Sequence, residues 1–459
     1  MIAAVRDAQG IARYAESVPR DLVAMLDHTV SRYPEKLAYV DPYSVLTWSQ
    51  VGEEVAGLAG RIVSAGVRRG DRVALLAGNS TAFAVAAFAI WRASAVLVPL
   101  NHRLTARDLA ALLRDSQAAL VLADATHADL GAQAAGAVKT RLEVAGSDGR
   151  FLANAPVASL PPGTPGPDAF AAVMYTSGTT GVPKGVVITH GNALQNSVTC
   201  TSVIGRSSKD RELIMVPQFN VTGLCSQTIP AAHLGMTSIL FGPFDAESAL
   251  RAAREHGATT TVGAPTMWWR LMEAAERTES DALKGFRLAL FGGAPMPTSL
   301  LSRMRAAMPA ATFGNGYGQT ETCSMVAYAG GQEALLRPDT VGRPLPITDA
   351  KIIDPETGAP AAPGQAGELV VRGAQISAGY WKDGAIHPIA DAEGWVRTGD
   401  AAVIDNGFVV LRDRLKDVIK RGGESVFSFE VEEAIAQHPD VLEVAVVGLP
   451  DEHWGEVVA

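Results

Sequence analysis

The 459-residue chain has little of what marks several classes of protein. Its three cysteines, Cys200, Cys225 and Cys323, contain no C-x-x-C pair, so we expect buried thiols rather than a disulfide framework or a zinc site. Basic residues are not in excess: the formal net charge of −9 argues against a general nucleic-acid binder. The longest apolar run, residues 82–91, is far too short to span a bilayer.

Targeting and repeat signals are also missing from the sequence. The N-terminus has no uninterrupted apolar segment of the signal-peptide kind, and no internal repeat or low-complexity tract occurs. We therefore expect a soluble, cytoplasmic protein. Apolar residues make up 47% and charged residues 19%, which is ordinary for a globular enzyme. The length predicts about two to three domains.

Strand and helix signals alternate over residues 47–124 and again from 190 to 320. Thr47 and Gln50 have capping-box spacing ahead of a helical apolar pattern, and Val- and Leu-rich segments such as 72–76 indicate buried strands. This alternation predicts parallel α/β sheets. Ligands bind beyond the carboxyl ends of such strands, so residues 291–295 and 314–321 are predicted to line a pocket.

The pattern changes from about residue 340. Short strand signals at 351–353, 367–373 and 408–412 are separated by Gly, Pro and Asp turns, which is typical of a small antiparallel barrel or sheet. The last unit is predicted to be a helix over 429–436 and a strand over 444–447.

Residues 175–185 form the most distinctive segment, rich in glycine and hydroxyl side chains and ending near Lys184. An apolar strand leads in and a β-branched strand leads out. Exposed backbone N–H groups, hydroxyls and a lysine suit a loop that wraps phosphate oxygens. It is not a Walker loop, because Pro183 stands where glycine is needed and no helix pattern follows. A plain hairpin turn is the alternative.

Four motifs in order resemble those of the adenylate-forming superfamily, which includes acyl-CoA synthetases, luciferases and peptide-synthetase adenylation domains. Segment 175–185 resembles its phosphate loop, 317–321 its Y-G-x-T-E motif, 397–400 its T-G-D motif, and 414–424 its hinge and following glycine loop. Each short motif alone also fits an ordinary turn. The ordered series is closest to the AMP-forming acyl-CoA synthetases.

The resemblance implies a fold and a reaction. It implies a large N-terminal domain, 1–413, with two parallel-sheet α/β subdomains to about residue 330 and a β-barrel-like subdomain over 331–413. A hinge at 414–416 and an incomplete α+β C-terminal domain, 417–459, would follow. The reaction would use ATP, Mg²⁺ and a carboxylic acid to make acyl-AMP and pyrophosphate, and coenzyme A would then take the acyl group. A homodimer is left open.

The resemblance also implies site residues. Those that would bind ATP or AMP are Thr176, Ser177, Gly178, Thr179, Thr180, Gly181, Lys184, Gly293, Ala294, Pro295, Asn315, Gly316, Tyr317, Gly318, Thr320, Asp400 and Arg414. Lys184, Thr320, Glu321 and Lys416 would be catalytic. A single carboxylate such as Glu321 suits Mg²⁺, which takes its other ligands from phosphates. Gly422 and Gly423 would line the coenzyme A tunnel.

The acyl pocket would be formed by Phe219, Asn220, Thr222, Gly223, Met267, Trp268, Gly292 and Gly316, although core packing explains most of the apolar members equally well. Asn220 stands where peptide-synthetase adenylation domains place an aspartate and many acyl-CoA synthetases a histidine. Without a carboxylate there, an α-ammonium group would be buried unpaired, so the acid should lack an α-amino group.

One motif of the superfamily is missing from the sequence. No P-K-T-x-x-G-K-type segment with its adenylating lysine occurs, and we expect a truncated C-terminal domain. Loss of one such electrostatic contact is expected to slow adenylation by about 10²–10³. Two other functions stay open: loading of a carrier-protein thiol, and a nucleotide-binding remnant without turnover. Neither the acid (fatty, aryl or related) nor its chain length can be read from the sequence.

Overall fold

The computed structural model describes residues 3–14, 19–146, 149–153, 155–176, 183–422, 424–436, 438, 441 and 444–459. The strands are β1 (Ala4–Arg6), β2 (Ala12–Tyr14), β3 (Leu37–Asp41), β4 (Ser44–Thr47), β5 (Arg72–Leu76), β6 (Val96–Pro99), β7 (Ala118–Ala123), β8 (Arg141–Val144), β9 (Phe170–Thr176), β10 (Lys184–Thr189), β11 (Arg211–Ile214), β12 (Thr237–Ile239), β13 (Thr260–Gly263), β14 (Leu288–Gly292), β15 (Thr312–Gln319), β16 (Ser324–Gly330), β17 (Arg343–Pro344), β18 (Thr348–Ile353), β19 (Gly367–Gly373), β20 (Gly379–Lys382), β21 (Ala385–His387), β22 (Val396–Asp405), β23 (Phe408–Arg414), β24 (Ile419–Arg421), β25 (Glu424–Val426), β26 (Gly448–Asp451) and β27 (Gly455–Val458).

The α-helices are α1 (Leu22–Arg32), α2 (Trp48–Ser64), α3 (Thr81–Arg92), α4 (Ala106–Ser116), α5 (Ala128–Val138), α6 (His190–Ser202), α7 (Ile229–Leu234), α8 (Ala246–His256), α9 (Pro265–Arg277), α10 (Thr298–Ala307), α11 (Gln332–Leu336) and α12 (Ser428–Ala436). Short 3₁₀ turns occur at Ala125–His127, Ala282–Gly285 and Thr320–Thr322, and a π-helical segment at Thr222–Thr228.

Local capping decides where several of these helices begin. The Thr47 hydroxyl accepts from the Gln50 N–H, and the Gln50 side chain accepts in return from the Thr47 N–H, which completes the predicted capping box of α2. Ser80 and Thr105 cap α3 and α4 in the same way with one bond each. These bonds satisfy backbone donors that the helix itself leaves unpaired.

The first large sheet has the strand order β21-β20-β10-β9-β6-β5-β7-β8. Strands β5 to β9 in this sheet are parallel, as the alternation over residues 47–124 predicts, whereas β10, β20 and β21 are added antiparallel. The apolar run 82–91 lies in α3, where all but Ala82 are buried against the sheets. No helix in the described part of the chain is long and apolar enough to cross a membrane.

The second large sheet has the order β17-β16-β15-β14-β13-β11-β12-β3-β4. Its strands from β15 to β3 are parallel, and the edge pairs are antiparallel. This confirms the second α/β region expected between residues 190 and 320. The protein is therefore a mixed α/β fold with two parallel-sheet subdomains.

A smaller antiparallel sheet, β18-β19-β22-β23, follows, as the turn-rich sequence after residue 340 predicts. Two segments within that region leave it. Strand β17 joins the second large sheet, and the β20–β21 hairpin joins the first. The N-terminal hairpin is tied to the same small sheet, because Arg6 forms an ion pair with Asp349 at 2.7 Å.

The C-terminal part contains α12, as expected, and a sheet of order β25-β24-β27-β26. The strand predicted over 444–447 is wrong, because β26 begins only at Gly448. The N–H of Val446 donates instead to the Glu432 carboxylate at 2.8 Å, so it is taken by α12 rather than by a strand. All three cysteines are free and buried, as predicted.

Two histidines are held neutral inside the fold. Burial lowers the pKa of His190, at the start of α6, and of His233, in α7, to about 4 in each case. The ring of His233 contacts the Ser197 hydroxyl at 3.0 Å. The Nε2 atom of His190 is buried and has no hydrogen-bond partner among the residues that the structure describes. Neither ring can gain a proton without loss of stability.

We expect the free energy of unfolding to fall as the pH is lowered from about 6.5 to about 4. In this window the unfolded chain binds protons at both histidines while the folded chain does not, so protonation favours unfolding. A lowering of this size corresponds to about 3 kcal/mol per histidine at most. Urea unfolding at several pH values should show a smaller dependence in His190→Gln and His233→Gln. Exposed His387→Gln is the matched control, and an equal effect there would contradict the assignment.

Candidate active site

The predicted phosphate loop joins two paired strands of the first sheet. Lys184, the first residue of β10, lies directly opposite Thr176, the last residue of β9. The loop residues Ser177, Gly178, Thr179, Thr180 and Gly181 lie outside the described residues. Both ends of the loop are thus fixed by the backbone pairing of β9 with β10.

The second sheet contributes the ends of four neighbouring strands. Because β11, β13, β14 and β15 are parallel neighbours, the segments that follow β11, β13 and β14 leave the sheet at the same edge. Gly292 lies beside Gly316, and a Cβ atom on Gly292 would be only 2.2 Å from the Gly316 carbonyl oxygen. The turn after it, residues 293–295, is exposed. This leaves open backbone where an adenine base is expected.

A hydrogen-bonded group built on Asp400 joins the second sheet to the small sheet. Asp400 is only 4% exposed, and its Oδ2 accepts from the Tyr317 hydroxyl and, at 2.8 Å, from Gln319 Nε2. Arg414, opposite it on β23, lies 2.9 Å from Oδ1. Burial raises the pKa of Asp400, although the Tyr317 hydrogen bond and the Arg414 charge act against this. Asn315 is also engaged: its amide donates to the Thr340 carbonyl at 3.2 Å.

Thr320 and Glu321 lie on the 3₁₀ turn that follows β15, and both are half-buried. Glycine is required just before this turn, because a Cβ atom on Gly318 would lie 1.5 Å from the Ser324 carbonyl oxygen. Glu321 Oε1 accepts a hydrogen bond of 2.9 Å from the Tyr380 hydroxyl. Among the described residues, its Oε2 accepts no hydrogen bond.

Tyr380 also contacts the phosphate-loop lysine. The Lys184 ammonium lies 5.2 Å from the centroid of the Tyr380 ring. Burial, and then the nearby Glu321 charge, raise the pKa of the Tyr380 hydroxyl well above its ordinary value, so it stays protonated. Sequence reasoning missed this residue. The only signal was an aromatic pair, Tyr380 and Trp381, in a stretch otherwise rich in turns.

A magnesium ion fits the chemistry of this turn. Mg²⁺ takes one or two carboxylate ligands and completes its shell with phosphate oxygens and water. Glu321 offers one carboxylate oxygen that accepts no hydrogen bond from the residues the structure describes, and its other oxygen is held by Tyr380. The residues present therefore suit a metal ion that is bound mainly by a nucleotide.

The predicted hinge, residues 414–416, begins at Arg414, the last residue of β23. The Arg414 carbonyl accepts from the N–H groups of both Asp417 and Val418, which forms a tight turn in which Lys416 is exposed. Beyond the turn, Gly422 has a φ of 60°. A Cβ atom there would lie 2.8 Å from the Trp454 ring. Gly423 lies outside the described residues.

The predicted acyl-pocket residues divide between two environments. Phe219 is 8% exposed, Gly223 is buried and Asn220 is exposed; a Cβ atom on Gly223 would lie 2.1 Å from the Pro217 carbonyl oxygen. Thr222 begins the π-helical segment, a feature common near functional sites. Trp268 is fully buried in the core and donates to the Leu290 carbonyl at 2.9 Å, while its neighbour Met267 is half-buried.

A histidine cluster beside Phe219 had no signal in the sequence. The His102 ring packs edge-on against Phe219, with centroids 5.2 Å apart, and lies 4.6 Å from the His127 ring. His127 Nδ1 is 2.6 Å from Asp124 Oδ1. Burial lowers the pKa of His102, and the neighbouring His127 adds to this. His102 follows β6, and Asp124 and His127 follow β7, all in the first sheet. Only the fold brings them to Phe219, which follows β11 of the second sheet.

Comparison with known proteins identifies the family of the chain. The AMP-binding enzyme family matches residues 26–381, and the AMP-binding enzyme C-terminal domain matches residues 430–459. A feruloyl-CoA synthase of Amycolatopsis is 35% identical over 94% of this chain and 88% of its own length. A 2-succinylbenzoate–CoA ligase of Bacillus licheniformis is 33% identical over 92% of this chain and 86% of its own.

Solved structures give the same result. ATP-bound MatB from Rhodopseudomonas palustris has a TM-score of 0.86 and 30% identity, covering 95% of this chain and 87% of its own. The o-succinylbenzoate CoA synthetase MenE from Bacillus subtilis, in complex with ATP and magnesium, has a TM-score of 0.83 and 28% identity, covering 95% and 88%. The chain belongs to the AMP-binding enzyme family, the adenylate-forming enzymes, and is close to the acyl-CoA synthetases.

Proposed function

We propose that the protein is an AMP-forming acid–CoA ligase, which activates a carboxylic acid with ATP and transfers the acyl group to coenzyme A. One observation carries this proposal: Lys184, at the end of the predicted phosphate loop, and Glu321 both contact Tyr380. Among the residues that the structure describes, one Glu321 oxygen accepts no hydrogen bond. A cation for phosphate oxygens and a carboxylate for a nucleotide-bound metal are what ATP activation needs.

In the first half-reaction a carboxylate oxygen of the acid attacks the α-phosphorus of ATP. The bond to the β-phosphate breaks and pyrophosphate leaves. Both reactants are anions, so the protein acts by neutralising charge and aligning the groups. Lys184 and the loop hydroxyls would hold the leaving phosphates, and Thr320 would donate to the α-phosphate. Magnesium held by Glu321 would neutralise phosphate charge when bound.

The nucleoside would lie between the turn at 293–295 and the Asp400 group. Tyr317 and Arg414 already occupy both Asp400 oxygens, so a ribose hydroxyl would share or displace one of these donors. Tyr317 and Asp400 join the second sheet to the small sheet, so this arrangement would fix the nucleoside relative to Thr320 and Glu321, on the turn that follows β15.

In the second half-reaction the thiol sulfur attacks the acyl carbonyl carbon and AMP leaves, while the thiol proton passes to solvent. Rotation about the hinge at 414–416 would bring the segment of Gly422 and Gly423 to the site. Exposed Lys416 can change conformation there without disturbing a core. Free coenzyme A is favoured over a carrier-protein thiol, because the relatives are CoA ligases.

The acid should lack an α-amino group. Asn220 is uncharged, so it would give an α-ammonium group no ionic partner. Its side chain is exposed, however, so the burial cost expected from the sequence does not apply at this position. The relatives act on acids as different as ferulate and 2-succinylbenzoate, so the choice among fatty, aryl and related acids needs a substrate panel. The cytoplasmic location stays a prediction.

Lys184→Ala and Glu321→Ala are each expected to lower the rate of acid-dependent ATP–pyrophosphate exchange by about 10²–10³, because each removes one charge that stabilises the transferring phosphate. The control is Lys382→Ala, which removes an exposed lysine at the end of β20 and should retain the full rate. Unchanged exchange in both site variants would refute the site. ATP binding with no exchange by any acid would favour the nucleotide-binding remnant instead.

Asn220→Asp is expected to reduce exchange with simple carboxylic acids by at least about tenfold, because a second anion would face the anionic substrate. The exposed turn variant Asn406→Asp should leave exchange unchanged. The readout is the ratio of exchange rates with aryl or fatty acids to those with amino acids. Faster exchange with amino acids in the unmodified protein would contradict the assignment.

A further inference from the structure

Strand β20 is a long-range insertion into the sheet that holds the phosphate loop. It pairs antiparallel with β10, so that Tyr380 faces Val186, two residues after Lys184. The chain reaches this position from the small antiparallel sheet. Tyr380 therefore belongs to the sheet that holds the phosphate loop, although the preceding strand, β19, belongs to the small antiparallel sheet.

Two groups of opposite charge use different parts of the Tyr380 side chain. The Lys184 ammonium lies 5.2 Å from the ring centroid, where the negative face of the ring attracts a cation. The hydroxyl, at the rim, donates to Glu321 Oε1 at 2.9 Å. In the described part of the chain Lys184 and Glu321 form no direct ion pair.

Contacts of Trp381, the residue after Tyr380, fix the position of β20. Trp381 Nε1 donates to the Asp115 carbonyl at 2.8 Å, and the Asp115 carboxylate accepts from the Tyr175 hydroxyl at 2.5 Å. Arg72 lies over the Trp381 ring, 5.2 Å from its centroid. Since Tyr175 immediately precedes Thr176, the same contacts hold both β20 and the entry to the phosphate loop.

Such a spacer matters because two opposite charges that contact the same side chain at a half-buried site attract each other more strongly than they would in bulk water. A direct Lys184–Glu321 pair would neutralise both groups before a nucleotide arrived. A protonated tyrosine binds each charge without cancelling it, since a hydrogen bond or a cation–π contact leaves the net charge in place.

We propose that Tyr380 is a positioning residue that holds Lys184 and Glu321 apart, so that the ammonium stays available to the phosphates and the carboxylate to magnesium. This inference rests on the proposed function, because it takes Mg²⁺·ATP as the ligand of the two charges.

The test is the binding of ATP to the intact protein, measured by calorimetry over a range of Mg²⁺ concentrations. Tyr380→Phe removes the hydrogen bond to Glu321 but keeps the ring under Lys184. We expect the Mg²⁺ concentration needed for half-maximal tight binding to rise about 10- to 100-fold, as for other partners of metal ligands. ATP binding without Mg²⁺ should change by less than about threefold, because the cation–π contact remains.

Tyr380→Ala removes both contacts, and Lys184 and Glu321 can then pair directly. We expect it to weaken ATP binding also without Mg²⁺, by about fivefold, the equivalent of one cation–π contact. Tyr43→Phe, an exposed turn tyrosine, is the matched control and should bind like the unmodified protein. Glu321→Gln should raise the Mg²⁺ requirement, and adding Tyr380→Phe to it should have no further effect.

An unchanged Mg²⁺ requirement in Tyr380→Phe, or an additive effect in the Glu321→Gln background, would overturn the inference. Equal weakening of ATP binding with and without Mg²⁺ in Tyr380→Phe would also overturn it, since that result indicates general damage. If no acid supports exchange while Tyr380→Phe still raises the Mg²⁺ requirement, the proposed function fails and the positioning role stands. Absence of ATP binding by the unmodified protein would refute both.

Discussion

The site depends on the pairing of β10 with β9 on one side and with β20 on the other. Backbone hydrogen bonds of these ladders set the register, so Lys184 must face Thr176 and Val186 must face Tyr380. The register therefore places a cation at the mouth of the phosphate loop and an aromatic side chain beside it. Glu321 comes from the second sheet, and its side chain meets this arrangement through the hydrogen bond from the Tyr380 hydroxyl.

We expect the Asp400 group to position the other half of the nucleotide. It connects β15 of the second sheet with β22 and β23 of the small sheet through Tyr317 and Arg414. A buried carboxylate is costly unless it is hydrogen-bonded, and here each oxygen has a donor. The donors are Tyr317, Gln319 and Arg414. If Asp400 binds the ribose as we propose, the stability of the junction and nucleotide binding would use one set of contacts.

Much of this arrangement could be predicted from the sequence because it is local. The capping box of Thr47 and Gln50 lies within a short segment. So do the apolar patterns that predict the strands and the motifs that contain Lys184 and Glu321. Tyr380 could not be predicted, since its role arises from pairing with a strand almost 200 residues earlier. The strand expected over 444–447 does not form, also because of a contact outside the segment: the Val446 N–H donates to Glu432, on α12.

In the proposed reaction a carboxylate oxygen attacks the α-phosphorus of ATP in this site. This step is tested most directly by incubating the protein with Mg²⁺, ATP, coenzyme A and an acid labelled with ¹⁸O in both carboxylate oxygens, followed by mass spectrometry of the products. We expect one ¹⁸O atom in AMP and none in pyrophosphate. Formation of ADP with labelled phosphate, or acyl-CoA with unlabelled AMP, would contradict it.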